Sequence, residues 1–246
     1  MKISAITLSL LAITLAACAA IKTPSPPTFA EVKPSLRLTL LPQGNIIEAK
    51  VTGTETRQLL LPEDLAAPMR LFAVDRTLND FHFITPQKTG IPGVYSFPFA
   101  LKPDSSYRVW VDIKQLPDAK GKTPPEEFPS TDLGARKPSA VAKTVSLDTN
   151  VSGYHATLTF DKTPTDKDDA TGTLRITDKN GTAVNATADI IGIYEDFHSV
   201  FRIALDNKLT FTLNPGKAGF IKLFAVLHID GKDMVVPFGV MVNKAS

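Results

Sequence analysis

The sequence predicts an all-β fold made of two tandem β-sandwich domains, preceded by an apolar N-terminal segment and a Pro-rich segment. Three observations support this prediction. From residue 36 onward, apolar and polar residues tend to alternate with a period of two, and turn residues separate the short apolar runs. Almost no stretch has the spacing of an amphipathic helix. A similar order of strands also occurs twice along the chain.

Residues 1–17 have the layout of a secretory signal peptide. Lys2 supplies the positive charge, an apolar core runs from Ile3 to Leu15, and small residues precede Cys18. The apolar run is too short to cross a bilayer, which requires about 20 residues. The sequence therefore predicts export of the chain.

Cys18 is the single cysteine of the chain, and it follows this apolar run. The stretch LAAC at 15–18 resembles the bacterial lipobox, which implies that Cys18 carries a diacylglyceryl group and becomes the mature N-terminus. Two or three acyl chains such as palmitate give stable anchoring in a membrane. Because Ala19 follows where Asp would signal inner-membrane retention, the resemblance implies the bacterial outer membrane. The alternative is ordinary signal cleavage after Ala17 or Ala20, with Cys18 as a structural residue.

Residues 18–35 are expected to form a tether after the lipidated cysteine. Four prolines at positions 24, 26, 27 and 34 favour an extended polyproline II conformation, which makes a semi-rigid spacer. The alternative function of such a segment is a Pro-rich ligand for another protein.

Charge and cysteine content restrict the partners and the means of stabilisation. Removal of residues 1–17 leaves 26 Lys and Arg against 25 Asp and Glu, so no basic field remains to attract nucleic acid. The mature chain is long enough to bury a sizeable core. With one cysteine in the whole sequence, an internal disulfide is impossible, and stability must come from packing.

The strand pattern divides the chain into three parts. The first sandwich is predicted at 36–113 and the second at 141–246, each with several apolar runs of strand length. Residues 114–140 are rich in Pro, Lys, Asp, Glu and Ser and lack sustained periodicity, which predicts a linker. Tight hairpin turns are expected at 178–181 and 229–232, because Asn-Gly and Asp-Gly tolerate positive φ.

The internal repeat carries a resemblance to a known family. Asp80-Phe81-His82 and Asp196-Phe197-His198 are each followed by a Pro-ended strand and a long apolar strand, and VVPFGVMV closes the second copy. This pattern resembles the small periplasmic immunoglobulin-like domains of the YtkA type, over residues 66–113 and 141–242. The resemblance implies two immunoglobulin-like sandwiches in an envelope protein, of a kind sometimes associated with copper.

The ligand residues of the metal-associated members are missing at the matching positions. In those members a His opens the central strand and a His-x-His-Pro pair follows the Asp-Phe turn. Here Arg70 and an apolar residue near Ile191 occupy the opening position, and the paired imidazoles are absent. The resemblance therefore does not carry a metal site to this chain, and we expect no cofactor.

Copper binding or copper delivery in the periplasm is the alternative function that the sequence leaves open. Its candidate ligands are His82, His198 and Met69, because the two histidines fall at equivalent places in the repeat. The competing explanation is structural: Asp80 and Asp196 each close an Asx-turn while the following Phe packs inward.

Catalytic motifs are absent from the sequence, and we expect a protein that is not an enzyme. The acidic stretch DKTPTDKDD at 161–169 offers oxygen ligands for calcium, but it lacks the EF-hand order, so a solvated hairpin loop is expected. The predicted function is that of a lipid-anchored, non-enzymatic binding module whose edge strands or loops contact another envelope protein.

Overall fold

The computed structural model describes residues 35–54, 57–102, 105–118, 120–134 and 140–246. The predicted signal peptide, the lipidation site at Cys18 and the tether up to residue 34 lie outside these residues. The all-β prediction is confirmed, since the described chain forms four antiparallel four-stranded sheets of β-sandwich type and a single 3₁₀ turn at Pro62–Asp64. A search of the described residues for a helix long and apolar enough to cross a membrane gave none.

The first sandwich is built from two sheets, which we call outer sheet 1 and inner sheet 1. Outer sheet 1 has the strand order β1-β2-β6-β5, and inner sheet 1 has the order β4-β3-β7-β8. The strands are β1 (Leu36–Gln43), β2 (Ile46–Gly53), β3 (Arg70–Asp75), β4 (Phe81–Ile84), β5 (Gln87–Lys88), β6 (Val94–Pro98), β7 (Ser106–Asp112) and β8 (Ser130–Gly134).

The second sandwich likewise pairs an inner with an outer sheet. Inner sheet 2 has the order β13-β12-β15-β16, and outer sheet 2 has the order β14-β11-β10-β9. The strands are β9 (Asp148–Val151), β10 (Tyr154–Phe160), β11 (Ala170–Thr177), β12 (Thr187–Tyr194), β13 (Val200–Ala204), β14 (Thr210–Leu213), β15 (Gly219–Ile229) and β16 (Lys232–Val242).

The outer sheets bury one face and expose the other. In β11, buried and exposed residues alternate along ATGTLRIT up to its last residues, as the period of two predicts. The inner sheets differ, because β3 buries four consecutive residues from Leu71 to Val74 and β12 buries seven from Ala188 to Tyr194. A strand with such a run is covered on both faces.

The two inner sheets pack face to face, and this contact joins the sandwiches. A third hydrophobic core lies between them, separate from the core inside each sandwich. Its buried members are Phe72, Val74, Leu78 and Trp110 from the first sandwich and Ile191, Ile193, Phe197, Phe220, Phe224 and Val226 from the second. The structure is therefore a stack of four sheets with three apolar layers between them.

Part of the predicted linker belongs to the first sandwich. Residues 130–134 form β8, which pairs antiparallel with β7 at the edge of inner sheet 1. Ahead of it, Ile113 and Glu127 form a two-way backbone bridge with N–O distances of 3.0 Å. The composition of 114–140 suggested a linker because a short edge strand with few apolar residues has little periodicity.

Of the two expected hairpin turns, one joins neighbouring strands. Asp230 and Gly231 adopt φ values of 50° and 75° between β15 and β16, as a type I′ hairpin requires. The turn at 178–181 is also tight, with the Asp178 N–H donating to the Thr182 carbonyl at 2.9 Å. Beyond the turn, Thr177 pairs antiparallel with Ala183 and the Val184 N–H donates to the Ile176 carbonyl at 3.0 Å. The predicted turn therefore closes a short local hairpin, after which the chain crosses to β12 in the other sheet.

Gly192 in β12 lies directly beneath the ring of its cross-strand neighbour Phe201. A Cβ atom at this position would stand 2.0 Å from two carbons of that ring. We expect Gly192→Ala to lower the free energy of unfolding by about 1–3 kcal/mol, because the ring must leave its place in the core. Urea denaturation measures this loss. Gly90→Ala is the control, since a Cβ there meets nothing within 4 Å, and an equal loss in both variants contradicts the expectation.

Candidate functional site

The two Asp-Phe-His tripeptides do not occupy equivalent positions in the fold. The turn after β3 closes with the Leu78 N–H donating to the Asp75 carbonyl at 3.1 Å. The turn after β12 closes in the same way, from Phe197 to Tyr194 at 2.9 Å. Leu78 and Phe197 also share positive φ values of 61° and 59° and are both buried between the inner sheets.

The correct superposition of the copies therefore pairs Leu78 with Phe197, and it separates the two candidate histidines. His82 lies on β4, whereas His198 lies in the turn before β13. The expected equivalence of these histidines is wrong, because the matching tripeptides stand at different distances from the turns. The identical tripeptides suggest one alignment of the two copies, but the hydrogen-bonded turns after β3 and β12 show that the correct alignment is a different one.

The two histidines also have different surroundings. The His82 ring packs edge-on against Phe99 at 4.7 Å, and its Nε2 lies 3.2 Å from Asp80 Oδ1. The His198 N–H donates to Asp196 Oδ1 at 2.9 Å, which is the predicted Asx-turn. The first copy has no such turn, because the Asp80 carboxylate accepts from the Tyr107 hydroxyl and pairs with Lys102 at 2.7 Å.

Met69 is buried in the core of the first sandwich, with 1% of its surface exposed. The other histidines pair with nearby carboxylates, His155 with Asp148 and His228 with Asp233. Among the described residues, no group of three or more His, Cys, Asp or Glu side chains is placed to hold a metal ion. His82 lies opposite Ala73 of β3, Met69 directly precedes β3, and His198 lies in the turn after β12, so the three candidate copper ligands lie on different elements.

The acidic stretch 161–169 forms the loop between β10 and β11, as expected. Its carboxylates accept hydrogen bonds from within the chain. Asp161 Oδ1 accepts from the Thr171 N–H at 2.8 Å, and Asp166 Oδ1 accepts from the Ala245 N–H at 2.7 Å. The Asp161 bond joins the loop to the start of β11, and the Asp166 bond joins it to the C-terminal residues.

A buried cluster of charged side chains spans the contact between the two sandwiches. Arg202 on β13 donates from Nη1 to Asp112 Oδ2 at 3.0 Å and from Nη2 to Asp189 Oδ2 at 2.8 Å. Arg70 on β3 also donates to Asp189 Oδ2, at 3.2 Å. The bonds from Arg202 to Asp112 and from Arg70 to Asp189 therefore cross from one sandwich to the other.

The copies are related in a manner close to two-fold across this contact. Counted back from the two matching turns, Arg70 and Asp189 occupy the same position in their respective copies, and they pair with each other. At the opposite end of the contact, the guanidinium of Arg76 lies 5.1 Å from the centre of the Phe197 ring. Equivalent surfaces thus meet each other, as in an isologous dimer interface.

Asp112 and Glu126 form an unusual pair at the edge of this cluster. Each has one buried carboxylate oxygen without a hydrogen-bond donor, namely Asp112 Oδ1 and Glu126 Oε1. Burial raises the pKa of Asp112 to about 7, and the hydrogen bond with the Glu126 carboxyl group and its charge add to this rise against the opposing effect of Arg202.

Four of the seven exposed large apolar side chains among the described residues lie on or beside the outer face of outer sheet 1, whereas Leu116, Val145 and Met241 lie elsewhere. Leu41 on β1, Ile46 on β2 and Leu59, which bridges to Thr52 of β2, are 43%, 42% and 43% exposed. Each follows or precedes a residue that packs into the core, so each points away from it. Ile91, in the turn before β6, is 61% exposed. We call these four residues the aliphatic face.

The outer face of outer sheet 2 is polar in contrast. It presents threonines in cross-strand register, with Thr171 opposite Thr212 and Thr173 opposite both Thr210 and Thr159. The two ends of the four-sheet stack therefore differ in chemistry, although the sandwiches share one architecture.

The sequence prediction missed the contact between the inner sheets and its charged cluster. The sequence did contain a signal for the apolar contact. Both LFAV in β3 and the run from Ala188 to Tyr194 in β12 are continuously buried, whereas a strand with one exposed face alternates buried and exposed residues. No local signal identified the pairing of Arg202 with Asp112, because 90 positions separate them.

No family model matches this chain, and no curated protein matches it. Solved structures give distant likenesses. MtrC from Shewanella baltica OS185 has 10% identity and a TM-score of 0.28, with 83% of this chain and 68% of that chain covered. Trypsin-activated α-2-macroglobulin from Escherichia coli has 12% identity and a TM-score of 0.28, with 86% and 16% covered. The BSP domain of a biofilm-associated protein has 10% identity and a TM-score of 0.23, with 86% and 30% covered. At these scores the likenesses carry no argument about function.

Proposed function

We propose that this chain is a lipid-anchored protein of the bacterial outer membrane, without enzymatic activity, that binds another envelope protein through the aliphatic face. The observation that carries the proposal is the set of exposed aliphatic side chains on and beside one sheet face, namely Leu41, Ile46, Leu59 and Ile91. Exposed apolar surface that is concentrated on one face is typical of sites that bind a protein partner.

The position of the aliphatic face suits a tethered binding module. Outer sheet 1 contains β1, the first strand after the Pro-rich segment. The start of this strand is held in place, since the Ser35 N–H donates to Glu127 Oε2 at 2.8 Å and the Leu36 N–H to the same atom at 3.2 Å. A partner bound to this sheet would therefore be held at a set distance from the point where the tether enters the fold.

Charged residues on the same sheet face favour a partner whose surface has both apolar and charged groups. Arg37 lies opposite Thr52, Thr39 opposite Lys50, and Leu41 opposite Glu48. Glu48, Lys50 and Thr39 therefore lie between Leu41 and Ile46 at one end of the face and Leu59 at the other. Apolar and charged side chains share this face, as they do at protein interfaces of mixed polarity.

Photo-crosslinking in living cells tests the proposal. A photoreactive amino acid at position 41 or 46 is expected to trap a discrete envelope protein, identified by mass spectrometry. The same amino acid at position 173, on the polar face of outer sheet 2, is the matched control and is expected to trap none. Equal products at positions 41 and 173, or no product at 41 and 46 under several growth conditions, would contradict the proposal.

Charge placed on the aliphatic face should weaken the association. We expect Leu41→Glu and Ile46→Glu each to reduce the affinity for the trapped partner about tenfold, since a buried charge at an interface centre costs at least 1.4 kcal/mol. Because both side chains point to solvent, the free energy of unfolding should change little. Thr173→Glu is the control, and an equal loss of affinity in that variant would show that the aliphatic face is not the site.

A further inference from the structure

The carboxyl groups of Asp112 and Glu126 meet where the two sandwiches join. Asp112 ends β7, and Glu126 lies in the segment that leads from β7 to β8. Asp112 is 5% exposed, and its Oδ2 accepts from Arg202 of the second sandwich. Its Oδ1 and the Oε1 of Glu126 are buried acceptors without a donor. The two carboxyl groups lie together beside one guanidinium nitrogen, since Arg202 Nη1 is 3.0 Å from Asp112 Oδ2 and 3.7 Å from Glu126 Oε1. A proton on either carboxyl group would give this pair of acceptors the donor that it lacks.

The other charged groups around the pair come from every element packed against it. Arg202 of β13 contacts Asp112 and has Nη1 3.7 Å from Glu126 Oε1. Asp189 of β12 accepts from Arg202, and Arg70 of β3 binds Asp189. These five side chains form the centre of the cluster.

Two further groups complete the surroundings. Lys114, just beyond β7, has Nζ 3.8 Å from Glu126 Oε2. On β15, His228 lies two residues after Val226 and therefore on the same face of inner sheet 2, which faces the first sandwich. His228 pairs with Asp233. Arg202 already bonds two carboxylates, and its Nε is buried without a partner. The cationic groups therefore do not supply the missing donor to Asp112 Oδ1.

We propose that Asp112 and Glu126 share one proton and that the loss of this proton loosens the contact between the two sandwiches, which makes their association sensitive to pH. When the proton leaves, the buried Asp112 carboxylate and the partly exposed Glu126 carboxylate face each other without a donor between them, and their repulsion acts at the point where Arg202 contacts the first sandwich. This repulsion opposes the contact that the Asp112–Arg202 bond maintains.

The direction of the pH effect follows from the folded and unfolded states. The pKa of Asp112 rises from its ordinary value of 3.8 to about 7 in the fold, chiefly through burial. A group with a raised folded pKa contributes stability that is fully present below its unfolded value and is lost as the pH rises through its folded value. The contribution of the pair therefore falls between about pH 4 and pH 7 and is constant above that range.

Trp110 supplies a direct readout of the contact. It is the one Trp of the chain, is 1% exposed, and lies in the core between the inner sheets. Opening of the contact should expose its indole ring, so acrylamide quenching of its fluorescence reports the separation of the sandwiches without interference from other Trp residues.

The test compares the full chain, purified in detergent, with Asp112→Asn and Glu126→Gln at pH 5 to 8. Either amide donates to the remaining carboxylate and imitates the protonated pair. The quantity compared is the ratio of the unfolding equilibrium constant of the unmodified protein to that of Asp112→Asn. We expect this ratio to rise by at most about tenfold per pH unit between pH 5 and pH 7 and to level off above pH 7. Quenching of Trp110 should rise over the same range and stay flat in both variants.

The control is Glu48→Gln, on the exposed face of outer sheet 1, which should keep the pH profile of the unmodified protein. Contributions to stability that the variants share cancel in the comparison. The proposal is overturned if the unmodified protein and the folded amide variants share one pH profile. If Asp112→Asn does not fold, Glu126→Gln alone decides, since it leaves the bond from Arg202 to Asp112 in place.

Discussion

Arg202→Met is expected to lower the free energy of unfolding by about 3–5 kcal/mol, the cost typical of removing one partner from a buried ion pair. Arg202 is the cation that binds both Asp112 and Asp189, whose side chains are 5% and 11% exposed. Methionine fills a similar volume, so the loss comes from two buried carboxylates that lose their common donor. Urea denaturation measures the loss, and Trp110 quenching shows whether the contact between the sandwiches opens.

Two comparisons isolate the charge effect at Arg202. Arg37→Met, on the exposed face of outer sheet 1, removes the same charge and should change the free energy by less than about 0.5 kcal/mol. A triple variant, Arg202→Met with Asp112→Leu and Asp189→Leu, removes the carboxylates as well and should recover most of the stability. If Arg202→Met behaves like Arg37→Met, the charged cluster does not hold the sandwiches together.

Cys18→Ser is expected to abolish lipid labelling and to release the protein from the outer-membrane fraction. Acylation requires the thiol, and Cys18 is the one cysteine of the chain. Two or more acyl chains on one residue bind a membrane strongly, so their loss should release the protein. Metabolic labelling with a palmitate analogue and membrane fractionation measure the two effects.

Ser25→Ala, in the tether, is the matched control and should leave labelling and fractionation unchanged. A Cys18→Ser protein that still fractionates with the outer membrane would contradict the lipobox interpretation. The aliphatic face could then be examined as an independent means of attachment, through the same fractionation of Leu41→Glu.

The strands could be predicted from the sequence because a sheet with one exposed face leaves a period of two in the chain. This holds for β11 and for the first residues of β1, where core and solvent residues alternate. The stacking of the inner sheets could not be predicted in the same way. The buried run of β12 indicates burial on both faces, but it does not say which surface covers the second face.

The positions of the candidate site residues depended on long-range geometry. His82 and His198 share a tripeptide, yet the positive-φ residues Leu78 and Phe197 set the register of the two copies and place the histidines on different elements. Asp112 and Glu126 carry no motif, and their interaction arises only when β7 and the segment before β8 fold back on each other. Sequence patterns report local burial, whereas pairing across the fold depends on topology.

The central claim of this account is that the two sandwiches form one rigid body through the contact between the inner sheets. The test is the distance between spin labels at positions 39 and 173, on the outer faces of the two outer sheets. Pulsed electron–electron double resonance measures this distance in a Cys18→Ser background. We expect a single narrow distance distribution at pH 5, which broadens in Arg202→Met. A broad or multiple distance distribution at pH 5 in the protein that retains Arg202 would contradict the claim, because the sandwiches would then move independently.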